Sequence, residues 1–272
     1  MATVAFWAPN TNQNGSTSIM AAAASALSLI YDYSTLMIGT NFMDYSLETS
    51  FINVKKLKER GTMDFSDVGI DALERLIKSG KLSAENLIDY TTPLLKGRLD
   101  LMFSSQKNDV ATYNRVIDML PNILHAASKK FDLILIDVKN GTDDEKMRGI
   151  LESSDLIVVN INQSDYILND FFRDKMNLDI LKEKKFLLVI GRYDKFSKFN
   201  SKNITRFYHY KDKIFTLPYN TQFFDMQNDH RTLEFFVKYI NVKPSDRNGF
   251  FVGEVKSLAD AIVNNVTIST EE

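Results

Sequence analysis

Short apolar runs, rich in β-branched residues, recur along the chain with helical patterns between them. Runs that are apolar on both faces are what parallel strands need when helices cover both sides of their sheet. They lie at Thr3–Ala8, Thr35–Thr40, Leu99–Phe103, Leu133–Val138, Leu156–Ile161, Phe186–Gly191 and Ile214–Leu217. Helical patterns fall at Ser16–Tyr31, Asp67–Ser79, Asn108–Ser128, Asp143–Ser153, Gln163–Leu181 and Thr232–Ile240. This alternation predicts an α/β fold, a doubly wound and mostly parallel sheet with helices on both faces. One domain is expected over residues 1–272. Val255, Leu258, Ala261 and Ile262 mark a C-terminal helix within 250–272, followed by a frayed tail. Ligands of such sheets bind beyond the carboxyl ends of strands, where the first run delivers the loop Pro9–Gly15.

Composition removes several functional classes. The chain has no cysteine, which excludes disulfides, thiolate zinc sites, iron–sulfur clusters and thiol nucleophiles. Its three histidines are scattered, so no zinc or haem is expected. A formal net charge of -2 gives no whole-molecule field toward nucleic acid or anionic lipid. No apolar run approaches the ~18 residues of a membrane span, and Met1 leads directly into a strand rather than a signal peptide. A cytoplasmic protein is the expectation.

The loop after the first strand, Ala8-Pro-Asn-Thr-Asn-Gln-Asn-Gly-Ser-Thr-Ser18, has the outline of a phosphate-binding loop. In that motif backbone N–H groups and a helix N-terminus converge on an anion. Placing Gly15 on the second glycine of G-x-x-x-x-G-K-[ST] puts Asn10 on the first, Ser16 on the lysine and Thr17 on the magnesium-binding hydroxyl. Asn10, Asn12 and Asn14 tolerate positive φ, so the loop can still form. Losing the lysine's charged hydrogen bond costs roughly 1.5–3 kcal/mol, or about 10–100-fold in affinity. Catalysis loses more, because the lysine acts on charge that develops in the transition state. A capped helix after an Asn-rich turn is the alternative reading of the same residues.

The second signal is Phe131-Asp-Leu-Ile-Leu-Ile-Asp137, an apolar strand ending in an acid. Such an Asp holds magnesium, with Thr17, in nucleotide hydrolases; the alternative is an Asp that caps the following turn. Lys139, two residues on, is a candidate to restore the missing positive charge, against the reading of a solvated lysine. Gly141 is a candidate hinge.

The strand–loop–Gly-Ser-Thr-Ser–Ala-rich helix order, then FDLILIDVKNGTDDEKMRGILESSDLIVVNINQS, LLVIGRYDKFSK and IFTLPYN, resembles the ParA/MinD superfamily of deviant-Walker P-loop ATPases over roughly residues 1–240. The segments GRYDKFSK and LPYN look most like the TadZ/CpaE-type pilus-assembly branch, and they also resemble partition-like ATPases. The resemblance implies ATP and Mg²⁺ as ligands, a homodimer, and an adenine site between Arg192 on one side and Pro218 and Tyr219 on the other. It implies phosphate contacts from Asn10, Thr11, Asn14, Gly15, Ser16, Thr17 and Ser18. This chain departs from the superfamily at its charges. Thr11 stands for the signature lysine, Ser16 for the second lysine, and Asn41 for the water-activating acid unless Asp44 reaches in. At most a weak ATPase is expected, with Asn41, Asp44 and Lys139 as the catalytic candidates.

Arg192–Lys213 carries seven Lys or Arg against two Asp, with six Phe and Tyr interleaved. That pattern suits a nucleic-acid backbone; the alternative is a surface helix anchored by its aromatics. Lys55–Arg60 reads as a solvated helix face. The leading functional expectation is a spatial organiser that dimerises, binds ATP weakly or not at all, and positions a pilus, secretion or conjugation assembly, with recruitment to a cell pole or assembly site. The alternatives are a partition ATPase that binds DNA nonspecifically and hydrolyses slowly, or a nucleotide-free scaffold.

Overall fold

The computed structural model describes residues 1–10, 15–60, 68–105, 107, 109–142, 144–173 and 179–268. Eight strands form one sheet: β1 (Ala2–Trp7), β2 (Thr35–Gly39), β3 (Thr92–Leu95), β4 (Leu99–Met102), β5 (Leu133–Asp137), β6 (Leu156–Ile161), β7 (Phe186–Tyr193) and β8 (Ile214–Pro218). Their order is β3-β4-β2-β5-β1-β6-β7-β8. Every neighbouring pair is parallel except β3–β4, which is antiparallel. All seven sequence-predicted strands are present. The unpredicted one, β3, is a short edge strand carrying Pro93. It is only half-buried, so it lacks the two-sided apolar run that betrays the others.

β1 lies between β5 and β6, so its carboxyl end sits where the winding of the sheet reverses. Ligands of open α/β sheets bind at this point. The two faces carry separate cores. On one, β1, β2 and β5 send Val4, Phe6, Met37, Leu133 and Leu135 toward the helices Ser16–Ile30, Thr232–Tyr239 and Gly249–Asn265. The first of these helices is buried along most of its length, with Ala21, Ala22, Ala23, Ala24 and Ala26 fully covered. Alanines there let the sheet and the C-terminal helix approach the same backbone from two sides. Phe223, Phe235, Phe236 and Phe251 close this layer, with ring centroids 4.9–6.4 Å apart. The opposite face packs against Val110–Asp118, Leu120–Ala127, Glu145–Ser153, Asp165–Phe172 and Ser201–Tyr208.

Two long helical predictions are corrected. Asn108–Ser128 is two helices broken at Met119, because Pro121 supplies no N–H to continue the first. Gln163–Leu181 is represented by Asp165–Phe172 and Ile180–Glu183, and 174–178 lies outside the described residues. The predicted C-terminal helix runs from Gly249 to Asn265 with Val255, Leu258 and Ile262 buried. Lys55–Arg60 falls in a helix, Val54–Arg60. Among the described residues no helix is long and apolar enough to cross a membrane.

Candidate functional site

The site grows from the ends of β1, β2 and β5. Gly15 caps the first helix with φ 73° and ψ 22°, a left-handed conformation that glycine adopts without strain. Among the described residues, a Cβ added there would meet no atom within 4 Å. The helix behind it has no acidic residue in its first turn. Its first N–H groups and dipole therefore point toward the loop without a competing carboxylate on the helix itself.

In the first turn of the helix, the Thr17 hydroxyl donates to Asp137 Oδ2 at 2.7 Å. Asn41, just beyond β2, donates to the same oxygen at 3.1 Å. Three sequence-predicted residues from three chain segments thus converge on one carboxylate. Asp137 is only 2% exposed. Burial pushes its pKa up to about 7, the nearby Asp44 and Glu48 add to the shift, and the bonds from Thr17 and Asn41 oppose it. No cationic side chain among the described residues contributes to that balance, and a divalent ion would supply the missing charge. Among the described residues no cluster of three or more His, Cys, Asp or Glu is arranged to hold a metal. The donor set is instead one hydroxyl and one carboxylate, which fits Mg²⁺ that keeps its remaining contacts with water and phosphate.

The other predicted residues divide. Asn10 is half-buried at the loop entrance, and Thr11 and Asn14 lie outside the described residues. Ser16 is 3% exposed, and its hydroxyl accepts from Asn160 Nδ2 at 3.1 Å. Its side chain is thus committed to β6, leaving its backbone in the first helical turn to face the loop. Ser18 donates to Gln227 Oε1 at 3.0 Å. Asp44 accepts from the Ser46 N–H at 2.9 Å, at the start of the short helix Ser46–Thr49, and acts on Asp137 through its charge. Lys139 Nζ reaches Asp144 Oδ2 at 3.2 Å, where Asp144 also caps the helix Glu145–Ser153. The lysine's charge is therefore spent on its own loop.

A small cavity of about 70 Å³ opens beside Gly15 and Ser18. Its walls include Arg192, Pro218, Tyr219 and Phe224, so the three residues assigned to the base do gather next to the loop. Arg192 has φ 51° at the point where the β7–β8 register shifts. The shift leaves Arg192 as an extra residue between the Gly191–Leu217 and Tyr193–Pro218 pairs beside the cavity. Tyr219 is 58% exposed and its ring lies 5.7 Å from that of Phe224.

Several site residues escape sequence reasoning. Trp7 Nε1 donates to Gly141 O, the Gly141 N–H to Ala8 O, and the Ala8 N–H to Asn140 Oδ1, at 2.9–3.0 Å. These bonds lace the loop after β5 to the end of β1, with Gly141 at φ 110°. Asn160 is wholly buried, and its Oδ1 has no partner among the described residues. Glu48 is also wholly buried and accepts from the Ser104 N–H at 2.6 Å, while burial raises its pKa. Each depends on contacts far apart in sequence, and none carries a local motif.

No protein-family model matches the chain, and no curated protein matches it in sequence. Solved structures do match. A ParA family ATPase from Chlorobium tepidum TLS superposes with TM-score 0.69 at 17% identity, covering 95% of this chain and 98% of that one. The septum site-determining protein MinD complexed with Mg-ADP from Pyrococcus horikoshii OT3 gives 0.67 at 14%, covering 98% and 99%. A protein of the plasmid-partition type from Borrelia burgdorferi B31, bound to AMPPNP, gives 0.63 at 14%, covering 98% and 100%. The chain has the ParA/MinD-like P-loop NTPase fold over nearly its whole length.

Proposed function

We propose that this protein binds a magnesium–nucleoside triphosphate at the Gly15–Ser18 loop and uses it as a slow conformational timer. The observation that carries this reading is the Thr17–Asp137 contact at the head of the first helix, beside the cavity bounded by Arg192 and Tyr219. Thr17 and Asp137 would hold the metal, which screens phosphate charge when bound. Gly15, Ser16, Thr17 and Ser18 would offer backbone N–H groups, with Asn10, Thr11 and Asn14 completing the loop. Structural neighbours are described with Mg-ADP and AMPPNP, which supports a nucleotide. Turnover is slow because Ser16 replaces a lysine, Lys139 is paired with Asp144, and Asn41 is not an acid. The nucleotide would stabilise a homodimer that positions a larger assembly at one place in the cell, of pilus, secretion or conjugation type. Calorimetry with ATP, with and without Mg²⁺, tests the reading. Magnesium-dependent binding in the micromolar range is expected, and no binding up to millimolar ATP or GTP would leave a nucleotide-free scaffold.

A second reading, partition through nonspecific DNA binding, is favoured by the Arg192–Lys213 surface. Lys195, Lys198, Lys202, Arg206 and Lys211 are exposed, and Phe196 and Phe207 are 85% and 63% exposed. Tyr193, Phe199, Tyr208 and Tyr210 instead anchor the segment to the core. A mobility shift that weakens steeply with salt would support DNA binding.

A further inference from the structure

We infer that Gln227 is a positioning residue that fastens the segment Asn41–Ser50 in the empty protein and releases it when the Gly15–Ser18 loop is filled. The inference rests on the nucleoside triphosphate reading above and concerns only how a filled loop is reported to the rest of the chain.

Both ends of this segment are tied to the first turn of the helix Ser16–Ile30. At one end Asn41 donates to Asp137 Oδ2, which also accepts from Thr17. At the other, Ser50 Oγ accepts from Gln227 Nε2 at 2.9 Å, and Gln227 Oε1 accepts from Ser18 Oγ at 3.0 Å. Thr17 and Ser18 are neighbours in the chain, so the segment is a strap closed on a single turn. Within it lies the helix Ser46–Thr49, one turn long and too short to hold itself in water. Its order comes from tertiary anchors. Leu47 is buried, Glu48 accepts from the Ser104 N–H, and Thr232 donates to Ser50 O through its N–H at 3.2 Å and its hydroxyl at 2.7 Å. Gln227 differs from these anchors because its other end holds a residue of the phosphate loop.

A serine hydroxyl has one proton to donate. In the empty protein Ser18 gives it to the amide oxygen of Gln227. Phosphates seated on the first helical turn bring ionised oxygens, and a hydrogen bond to an ionised acceptor is stronger than one to a neutral amide. Ser18 then turns to the phosphate. Ser50 and Gln227 are both buried, so the abandoned Oε1 has no ready water to replace the lost donor. Gln227 lines the cavity beside Gly15, and turning its amide toward that space draws Nε2 away from Ser50. Linkage makes the effect reciprocal: a strap loosened by filling must itself resist filling by the same factor.

The test joins hydrogen exchange and calorimetry on the full chain. The amides of Thr49, Ser50, Phe51 and Ile52 bond back to Tyr45, Ser46 and Glu48, so their exchange reads the strap. Saturating Mg²⁺–ATP should make them exchange about tenfold faster, the worth of about one buried bond. Gln227→Met removes both bonds, and Ser50→Ala cuts the strap from Gln227 while leaving Ser18 paired. In both variants exchange of these amides should be fast without nucleotide and should no longer respond to it. Gln227→Met should also bind Mg²⁺–ATP several-fold tighter than the wild type, a gain that mere structural damage would not give. Exchange that is unchanged or slower in the filled wild type, or a response that survives in Ser50→Ala, overturns the inference and leaves the triphosphate reading standing. So does Gln227→Met binding no tighter than the wild type. Failure of the wild type to bind ATP or GTP overturns the triphosphate reading and this inference with it.

Discussion

Replacing Asp137 by Asn should stabilise the ligand-free protein, and by an amount that grows with pH. The carboxyl is buried, and its pKa is about 7 against the ordinary 3.8. Between these values the folded state holds a proton that the unfolded state has released. Stability therefore falls as pH rises through this window. The contribution is fully present below pH 3.8, declines by about 1.4 kcal/mol per pH unit, and is lost above about pH 7. The full span is about 3 units, so the loss reaches roughly 4 kcal/mol as an upper bound. The amide of the Asp137→Asn variant would keep an oxygen to accept from Thr17 and would have no charge to bury. Urea melts of both proteins at pH 5, 6, 7 and 8, in EDTA, read the effect. The variant's advantage should widen with each step to pH 7 and then level off. An advantage that is flat across pH 5–8 would refute a proton held on Asp137. Saturating Mg²⁺–nucleotide should invert the ranking at pH 8, because the metal pairs with the carboxylate and not with the amide.

Other substitutions probe single links. Thr17→Ala removes the bond to Asp137 and one proposed metal ligand; magnesium-dependent nucleotide affinity should fall about tenfold by calorimetry, with magnesium-free binding unchanged. Lys139→Ala breaks an ion pair with Asp144 that is largely solvent-exposed; nucleotide affinity should stay within about twofold, and a larger drop would mean the lysine leaves Asp144 for the phosphates. Gly249→Ala would drive a Cβ to 2.2 Å from Lys243 O and 2.7 Å from Pro244 O; the melt should show a loss of more than about 2 kcal/mol, because backbone must move.

The strands were legible in sequence because a sheet covered on both sides needs apolar residues at every position, and β1, β5 and β6 comply throughout. Gly15, Thr17 and Asp137 stand out in sequence by their places at strand ends and in a loop pattern, and the structure brings Thr17 and Asp137 into contact. Arg192, Pro218 and Tyr219 were found through the order of segments in a resembling family, and they do meet in one cavity wall. Ser16 shows where a motif stops being informative. A serine where the resemblance places a lysine does more than omit a charge, since its hydroxyl accepts from Asn160 on the neighbouring strand. Gln227 could not be found at all. It joins Ser18 to Ser50 across more than 170 positions, and no local pattern announces such a bridge.

The described residues of the site carry an uneven electrostatic load. Asp137, Glu48 and Asp44 lie within range of one another, and two of the three are buried. The nearby Lys139 is paired with Asp144, and the Ser16 hydroxyl turns inward to Asn160. A bare triphosphate would bring further negative charge to this ground, with the helix N-terminus and its N–H groups as the main attraction. A triphosphate that arrives with Mg²⁺ changes the balance, because the metal can meet Thr17 and Asp137 while its charge offsets the phosphates. Proton and metal would then compete for the same carboxylate oxygen. Below pH 7 binding must release the proton that Asp137 holds, and above it none is released. On the proposed reading, a serine where the resemblance places a lysine would shift control of the site from a fixed charge of the protein to a mobile one, making the divalent ion and the pH joint determinants of when the loop is filled.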